Sequence, residues 1–241
     1  MAGIGDEFYQ ATKYSLGKPT DYGPLLSPPR PTVVLPPPQT RSRASLPRLL
    51  GERRSWRKFS GEPADIGMLS FILWASDGIT APLAGPQFRA APSAGARHPI
   101  DTYVVANRVE GLERGVYFWN VTRAGLEMIR KGDFEEAAVK AAAGQEWIRG
   151  SVAVFIWIAE FARTTSRYKD RGYRYVFLDA GHICQNLYLA CQASGLGMTA
   201  IAALDDDEVN ALAGVDGRER SVVYMAALGR RKIEWNRDNA R

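Results

Sequence analysis

The sequence predicts an α+β domain, in which short strands and helices share one core. Strand composition, meaning β-branched or aromatic residues bounded by polar residues or glycine, occurs in four segments: Ile100–Ala106, Gly115–Trp119, Val152–Ala159 and Val222–Leu228. Helical patterns separate some of these strands and hairpin-like spacings separate others, so the order does not alternate strictly. With 241 residues, 46% of them hydrophobic, the chain can bury one sizeable core.

A proline-rich arm precedes this domain. Seven prolines lie between residues 24 and 38, where they fix the backbone and remove amide donors. The apolar run 33–35 leaves two alternatives open, an extended arm that wraps the domain or a partner subunit, and a disordered tail. We divide the chain into an arm at 1–44, a domain at 45–232 and a C-terminal tail at 233–241.

The first helix of the domain carries signals at both ends. Asp65 can cap its start and Gly78 can end it, and apolar residues between them share one face. A loop follows from Thr80 to Pro99. Further helices are predicted at Phe134–Ala143, Tyr173–Ser194 and Asp205–Ala213.

The helix at 173–194 is the most strongly periodic element. Its apolar residues recur at three- and four-residue steps and extend to adjacent positions, which predicts a helix buried on most sides, in the core, at a subunit interface or both. His182 and Gln185 within it are either a satisfied polar pair or ligands. Cys184 and Cys191 lie about 10 Å apart along one face, too far for a disulfide.

Charge and composition exclude several classes of protein. The net charge of +5 is scattered apart from residues 41–58, which favours a small anionic ligand over nucleic acid. The N-terminus lacks a signal-peptide core, and the longest apolar run, at 152–159, is too short to cross a bilayer. We therefore expect a cytoplasmic protein without a membrane segment. With two histidines and no Cys-x-x-Cys pair, a metal site is not expected.

The basic cluster is the segment Arg53-Arg54-Ser55-Trp56-Arg57-Lys58-Phe59. Arginine offers paired donors that match phosphate oxygens, and a serine hydroxyl can complete the cradle. A solvated basic turn is the alternative interpretation.

Two motifs match known sites only in part. GLGMTA at 195–200 has the spacing of a dinucleotide fingerprint, but it follows a helix instead of a strand, so we interpret its glycines as a helix stop whose backbone passes close to something flat. APSAG at 91–95 approaches a hydrolase nucleophile elbow, yet the first glycine is absent and Pro99 blocks the helix that should follow. A serine hydrolase built on Ser93 and His182 is therefore disfavoured.

Taken together, several segments resemble the nitroreductase superfamily and, within it, the SagB-type dehydrogenase branch. The resemblance covers about residues 45–232 and rests on Arg-x-Ser-x-Arg at 53–57, LWASDGIT at 73–80, RAAPSAGARHPIDTYVV at 89–105, YRYVFLDAGHICQNLYLACQASGLGMTAIAALDDD at 173–207 and ALGRR at 227–231. It implies a mostly antiparallel sheet flanked by helices and an intertwined homodimer with a long interface helix. FMN would bind at the subunit interface.

The resemblance also implies which residues hold the flavin. Three residues of the basic cluster, Arg53, Ser55 and Arg57, would contact the phosphate, ribityl chain and pyrimidine edge. The loop 92–95, usually from the other subunit, would lie beside the isoalloxazine. The backbone around Ala202 and Ala203 would donate to N5 and O4, and Arg230 and Arg231 would complete the phosphate site. Alternation within the cluster directs Arg54 and Lys58 to solvent. The full expected set is Arg53, Arg54, Ser55, Arg57, Pro92, Ser93, Ala94, Gly95, Ile201, Ala202, Ala203, Gly229, Arg230 and Arg231.

Two departures from the family pattern affect the expected chemistry. A Lys-Tyr pair, thought to act as a base in members that oxidise peptide azolines, falls here on Arg167-Tyr168. Arginine is a poor base, so Tyr168 remains the candidate catalytic residue. Ala202 stands where many nitroreductases carry a polar or acidic residue, which leaves only the backbone donor.

Three functions follow as alternatives. The first is an FMN-dependent reductase that takes hydride from NADH or NADPH and passes it to a nitroaromatic, quinone or enone. The second is a dehydrogenase or oxidase that acts on a peptide-derived or other heterocycle. The third is a flavin-binding or partner-binding module with little turnover.

Overall fold

The computed structural model describes residues 3–39, 42–81 and 88–232, and its main feature is one seven-stranded sheet. The strands are β1 Thr32–Val34, β2 Ala64–Asp65, β3 Ile79–Ala81, β4 Phe88–Arg89, β5 Ile100–Ala106, β6 Val109–Glu110, β7 Gly115–Asn120, β8 Gly125–Lys131, β9 Ala153–Glu160, β10 Leu196–Ile201 and β11 Arg220–Arg230. The helices are α1 Ile4–Thr12, α2 Leu46–Glu52, α3 Ile66–Asp77, α4 Glu135–Ala141, α5 Ala162–Tyr168, α6 Arg171–Ala193 and α7 Asp206–Ala213. The predicted tail at 233–241 lies outside the described residues.

The sheet has the strand order β1-β8-β7-β5-β9-β11-β10, and every neighbouring pair in it is antiparallel. The predicted α+β class with an antiparallel sheet is therefore confirmed, and β5 has the predicted bounds. The predicted strand at 222–228 is longer, because β11 pairs with β9 on one side and with β10 on the other.

Helices cover both faces of the sheet and create two cores. On one face α3 and α6 bury residues such as Leu73 and Leu187 against Phe155 of β9. On the other face α4 and α7 pack over Ile156, the next residue of the same strand. Successive side chains of a strand point to opposite faces, and both faces are covered here, so β9 is apolar and buried from Ala153 to Ala159 and ends at the half-buried Glu160.

Helix α3 begins and ends where the sequence predicts. The Asp65 side chain accepts a hydrogen bond of 2.9 Å from the amide of Met68, and the Gly78 amide donates to the Trp74 carbonyl. Because both signals are local, the surrounding fold does not alter them.

Some predictions needed correction. The segment that begins with Gly195 is more than a helix stop, since residues 196–201 form the edge strand β10. The predicted loop at 80–99 contains β4 and a 3-10 turn at Ala94–Ala96, while residues 82–87 lie outside the described part of the chain. Within one chain, helix α6 is buried on one side, and Phe177 and Leu178 are 38% and 58% exposed on the other; burial of that side by a second subunit stays a prediction.

The N-terminal arm packs along the domain over the residues that the structure describes. The Tyr9 hydroxyl donates to the Val222 carbonyl at 2.8 Å, and the Leu16 amide donates to Asp205 at 2.6 Å. Strand β1 extends the sheet beside β8. The arm therefore contacts both the start of α7 and an edge of the sheet. None of the helices in the described residues is long and apolar enough to span a membrane.

Candidate functional site

The basic cluster lies along the free edge of β10. Ser55 forms a parallel bridge with Met198, and the Trp56 amide donates to the Met198 carbonyl at 2.8 Å. The Thr199 hydroxyl in turn donates to the Trp56 carbonyl at 2.7 Å. These contacts hold the cluster in an extended conformation, in which alternate side chains face the same way.

Two glycines make room for the aromatic residues of the cluster. A Cβ at Gly197 would lie 2.6 Å from the indole of Trp56, and one at Gly229 would lie 3.0 Å from the ring of Phe59. The flat group beside the Gly197 backbone is thus the protein's own tryptophan. Gly229, which is also expected in the phosphate site, has no side chain and so leaves room for the Phe59 ring to pack in the core.

Three polar residues of the cluster, Arg53, Ser55 and Arg57, can be reached by a ligand. Ser55 and Arg57 are exposed, and Arg53 is half-buried with its guanidinium carbon 5.0 Å from the centre of the Tyr188 ring. Within the described part of the chain, neither Arg53 nor Arg57 forms an ion pair with a carboxylate. The result is a concentration of positive charge that suits an anion.

Arg54 differs from its neighbours. Its Nη1 donates to the carbonyls of Gly51 and Arg53 at 3.0 and 2.8 Å, so the side chain satisfies the end of α2. The structure therefore gives Arg54 a helix-capping contact at an exposed position.

Tyr188 is a site residue that the sequence reasoning missed. It is half-buried on α6, where its spacing from apolar neighbours indicates only a packing role. Its hydroxyl lies 3.0 Å from the Ser55 hydroxyl and accepts a hydrogen bond of 2.9 Å from the Ala200 amide. The polar tip of a tyrosine within an apolar stripe was the available signal, because buried hydroxyls need partners.

The end of β10 lies beside this cluster. Ile201 is buried, whereas Ala202 and Ala203 are exposed and carry small side chains. The Gln145 side chain donates to the Ala203 carbonyl at 2.9 Å and accepts from the Trp147 indole at 3.0 Å. The Arg57 guanidinium lies 5.7 Å from the Trp147 ring, so the cluster and the strand end form one continuous surface.

The two closing arginines have different surroundings. Arg231 lies 5.5 Å from the Trp56 ring centre and donates to the Leu196 carbonyl at 2.9 Å and to the Gln192 side chain. Arg230 donates its Nε–H to the Pro63 carbonyl at 3.2 Å. Arg231 thus lies against the cluster, while Arg230 is directed towards residue 63.

The loop 92–95 is held by α6. The Ser93 hydroxyl donates to Asp179 at 2.6 Å, the Ala94 amide lies 3.4 Å from the same carboxylate, and Gly95 has a φ of 62°. Burial raises the pKa of Asp179, although the hydrogen bonds from Ser93 and Ala94 act in the opposite direction. The Nδ1 atom of His182 lies 3.3 Å from the Pro92 carbonyl oxygen, which is a second polar contact between α6 and the loop.

Tyr168 lies against this loop. A Cβ at Gly95 would be 2.5 Å from the Tyr168 hydroxyl, so only glycine allows this approach. The Arg167 guanidinium lies 5.4 Å from the Tyr168 ring, and Tyr175 meets the ring edge-on at 4.9 Å. The candidate catalytic hydroxyl is therefore brought to the loop and not to the basic cluster.

Within one chain the loop and the cluster are separated along α6. Asp179 holds the loop and Tyr188 contacts the cluster; nine residues of helix place them about 13 Å apart and half a turn around the axis. The loop and the cluster therefore lie towards different sides of this helix.

A model of the Nitroreductase family matches residues 50–230 of the chain. A nitroreductase-family protein of Methanocaldococcus jannaschii is 37% identical over 161 residues, which cover 67% of this chain and 80% of that protein. The trifolitoxin-processing protein TfxB of Rhizobium leguminosarum is 30% identical over 155 residues, 62% of this chain. Those residues cover 42% of TfxB, so the chain spans less than half the length of that relative.

Similar solved structures have the same fold. A nitroreductase-type protein of Ralstonia eutropha has a TM-score of 0.73 at 23% identity, over 92% of this chain and 98% of that one. A chain of the Escherichia coli microcin synthetase McbBCD complex has a TM-score of 0.64 at 19% identity, over 95% and 87%. NADPH:FMN oxidoreductase of Vibrio harveyi has a TM-score of 0.54 at 17% identity, over 78% and 71%. At these identities the likeness shows the fold alone.

Proposed function

Because the chain belongs to the nitroreductase family of flavin-dependent oxidoreductases, we propose that it binds FMN and uses NADH or NADPH to reduce a small molecule. The substrate would be a nitroaromatic, a quinone or an enone. The 37% identity to the Methanocaldococcus jannaschii protein and the fold shared with the Vibrio harveyi NADPH:FMN oxidoreductase support this assignment.

The observation that carries the proposal is the basic surface beside the end of β10, where Arg53 and Arg57 form no ion pair with a carboxylate among the described residues. Arg53, Ser55 and Arg57 offer donors without a carboxylate partner among the described residues, which fits a phosphate monoester. Ala202 and Ala203 are small and exposed, so a planar ring system could approach their backbone amides. These donors fit FMN, because FMN consists of an anionic tail joined to a flat ring system.

The protein residues would bind and orient the cofactor. When bound, the flavin would supply the hydride chemistry, by accepting hydride at N5 and passing it to the substrate. The basic cluster would hold the phosphate end of FMN, and Arg231 would stabilise the Trp56 ring by its cation–π contact. The amides of Ala202 and Ala203 would donate to the ring, where the alanine side chain at 202 contributes no acid or base.

We infer that the functional unit is a homodimer. The loop 92–95 and the cluster lie on different sides of α6, so a partner's loop would be needed to cover the ring. The exposed side of α6, which carries Phe177 and Leu178, is a suitable contact surface for a second copy.

A second candidate function has support of its own. A SagB-type dehydrogenase or oxidase acting on a peptide-derived heterocycle would agree with the 30% identity to the trifolitoxin-processing protein and with the microcin synthetase fold. Tyr168 lies beside Gly95 in the loop expected at the flavin, a position suited to proton transfer. In that reaction oxygen would reoxidise the flavin.

The test begins with the purified protein. We expect a yellow preparation that releases FMN on denaturation and bleaches when NADPH or NADH is added without air. A flavoprotein that neither nicotinamide reduces would favour the second candidate or a binding module with little turnover. A colourless protein that fails to bind added FMN would overturn the flavin assignment.

A further inference from the structure

The Tyr188 hydroxyl joins two segments of the candidate flavin surface. It accepts from the Ala200 amide at 2.9 Å and lies 3.0 Å from the Ser55 hydroxyl. We propose that Tyr188 is a positioning residue that orders the Ser55 hydroxyl so that its hydrogen points outward to an anionic oxygen of the ligand. This inference rests on the proposed function, since it assigns a role within the same site.

The direction of the hydrogen bonds follows from the donors available. A backbone amide can only donate, so the Tyr188 oxygen is the acceptor of the Ala200 N–H. The single phenolic hydrogen is then available for the Ser55 oxygen. When Ser55 accepts it, the hydrogen of the serine remains for an acceptor outside the protein, and Ser55 is exposed.

The tyrosine ring positions a second donor at the same place. The Arg53 guanidinium lies over it, 5.0 Å from the ring centre, in the geometry of a cation–π contact. One residue of α6 thus supports two neighbouring donors of the cluster. A hydroxyl and a guanidinium that both contact one tyrosine favour an oxyanion with several acceptors, as in a phosphate monoester.

The chain of contacts also connects the two ends of the site. Ala200 lies in β10, two residues before Ala202, which directly follows the strand, while Ser55 lies in the cluster. A ligand anion that accepts from Ser55 polarises the relay through Tyr188 to the backbone of β10. Phosphate binding and the position of the strand end are therefore coupled through a single side chain.

The experiment compares FMN with riboflavin, which lacks the phosphate, by fluorescence titration. Tyr188→Phe keeps the ring beneath Arg53 and removes only the hydroxyl. We expect it to weaken FMN binding about threefold to tenfold, the range of one hydrogen bond, and to change riboflavin binding less than about twofold. In a Ser55→Ala background the same substitution should add almost nothing, because the serine is the group through which Tyr188 acts.

Tyr173→Phe is the matched control, since Tyr173 is also half-buried on α6 and its ring stacks on Phe161 at 4.8 Å. We expect its affinities for both flavins to match the wild type. Two results would overturn the proposed role of Tyr188. One is an equal loss of affinity for FMN and riboflavin in Tyr188→Phe, and the other is a loss of FMN affinity that adds fully to that of Ser55→Ala. Wild-type protein that binds neither flavin would instead overturn the proposed function.

Discussion

The Ser93 hydroxyl donates a hydrogen bond of 2.6 Å to Asp179, so the loop 92–95 is fixed to a carboxylate buried in α6. The residues that follow include Gly95, Ala96 and His98, which all have positive φ. Such backbone persists only where neighbouring contacts hold it. Asp179 thus compensates for the strain of a loop that is expected to face a flavin.

Replacing this carboxylate should loosen the loop. In Asp179→Asn an amide NH₂ group replaces one acceptor, so either Ser93 or Ala94 loses its partner. We expect the free energy of unfolding to fall by about 1–3 kcal/mol in urea titrations. Asp170→Asn, at an exposed position just before the same helix, serves as the control and should change stability little. Equal stability of both variants would show that the buried carboxylate does not hold the loop.

Arg53→Ala should weaken retention of FMN at least about tenfold, because a charge-assisted contact contributes about 1.5–3 kcal/mol. Equilibrium dialysis with FMN measures the effect. Arg48→Ala is the matched control, since Arg48 is exposed on α2 and pairs with Glu52 at 2.8 Å. If Arg53→Ala retains FMN as the wild type does, Arg53 is not in the phosphate site.

Gly197→Ala should displace the Trp56 indole. The added Cβ would lie 2.6 Å from the ring, so the cluster must move away from β10. We expect a loss of about 1–3 kcal/mol in stability, as for overpacked cores, together with weaker flavin binding. Tryptophan fluorescence during urea unfolding reports both the stability and the environment of the indole. Gly51→Ala, whose Cβ would meet nothing within 4 Å, should leave both unchanged or raise stability slightly.

Leu178→Glu should separate the proposed dimer. The side chain is 58% exposed on the open face of α6, where a buried carboxylate would oppose association. Light scattering should show a monomer with reduced FMN content. Val34→Glu, at a residue 75% exposed on β1, should remain dimeric. A wild-type monomer in the same measurement would contradict the shared site.

Asp77 should make stability depend on pH. Its Oδ2 pairs with Arg89 at 2.7 Å, but Oδ1 has no partner among the described residues, and burial raises the pKa of Asp77 to about 7 in spite of Arg89. A carboxyl group whose pKa is higher in the folded than in the unfolded protein stabilises the folded state most below the unfolded pKa of about 3.9. This stabilisation is lost as the pH rises towards 7.

The free energy of unfolding of the wild type should therefore fall more steeply between about pH 5 and pH 7 than that of Asp77→Asn, which cannot titrate. Parallel urea titrations at each pH measure the two slopes. Identical slopes would mean that Asp77 remains ionised in the folded protein throughout this range.

The fold could be predicted where its determinants are local. Asp65 and Gly78 lie directly at the ends of α3, and the apolar run of β9 is short and continuous. Strand β10 could not be identified in this way, because it contains Gly197 and directly follows Gly195, and glycine is a poor strand former. It forms because β11 pairs with it and because Gly197 leaves room for Trp56.

In the candidate site too, local features could be predicted and long-range contacts could not. Residue type alone indicated that Arg53, Ser55 and Arg57 suit a phosphate. The role of Tyr188 depends on contacts to Ser55, 133 residues earlier, and to the strand that follows α6. No spacing within α6 reveals those partners, since they result from the arrangement of the sheet edge.

The packing of the arm sets the order in which this protein can be completed during synthesis. Tyr9 and Leu16 bind residues that follow them by 213 and 189 positions, so their partners do not exist when the arm leaves the ribosome. Strand β1 of the arm can pair once β8 has been made, but the contacts of Tyr9 and Leu16 must wait until α7 and β11 have been made. The helix α1 region is thus synthesised before the domain but can dock on it only after the last strand of the sheet is available.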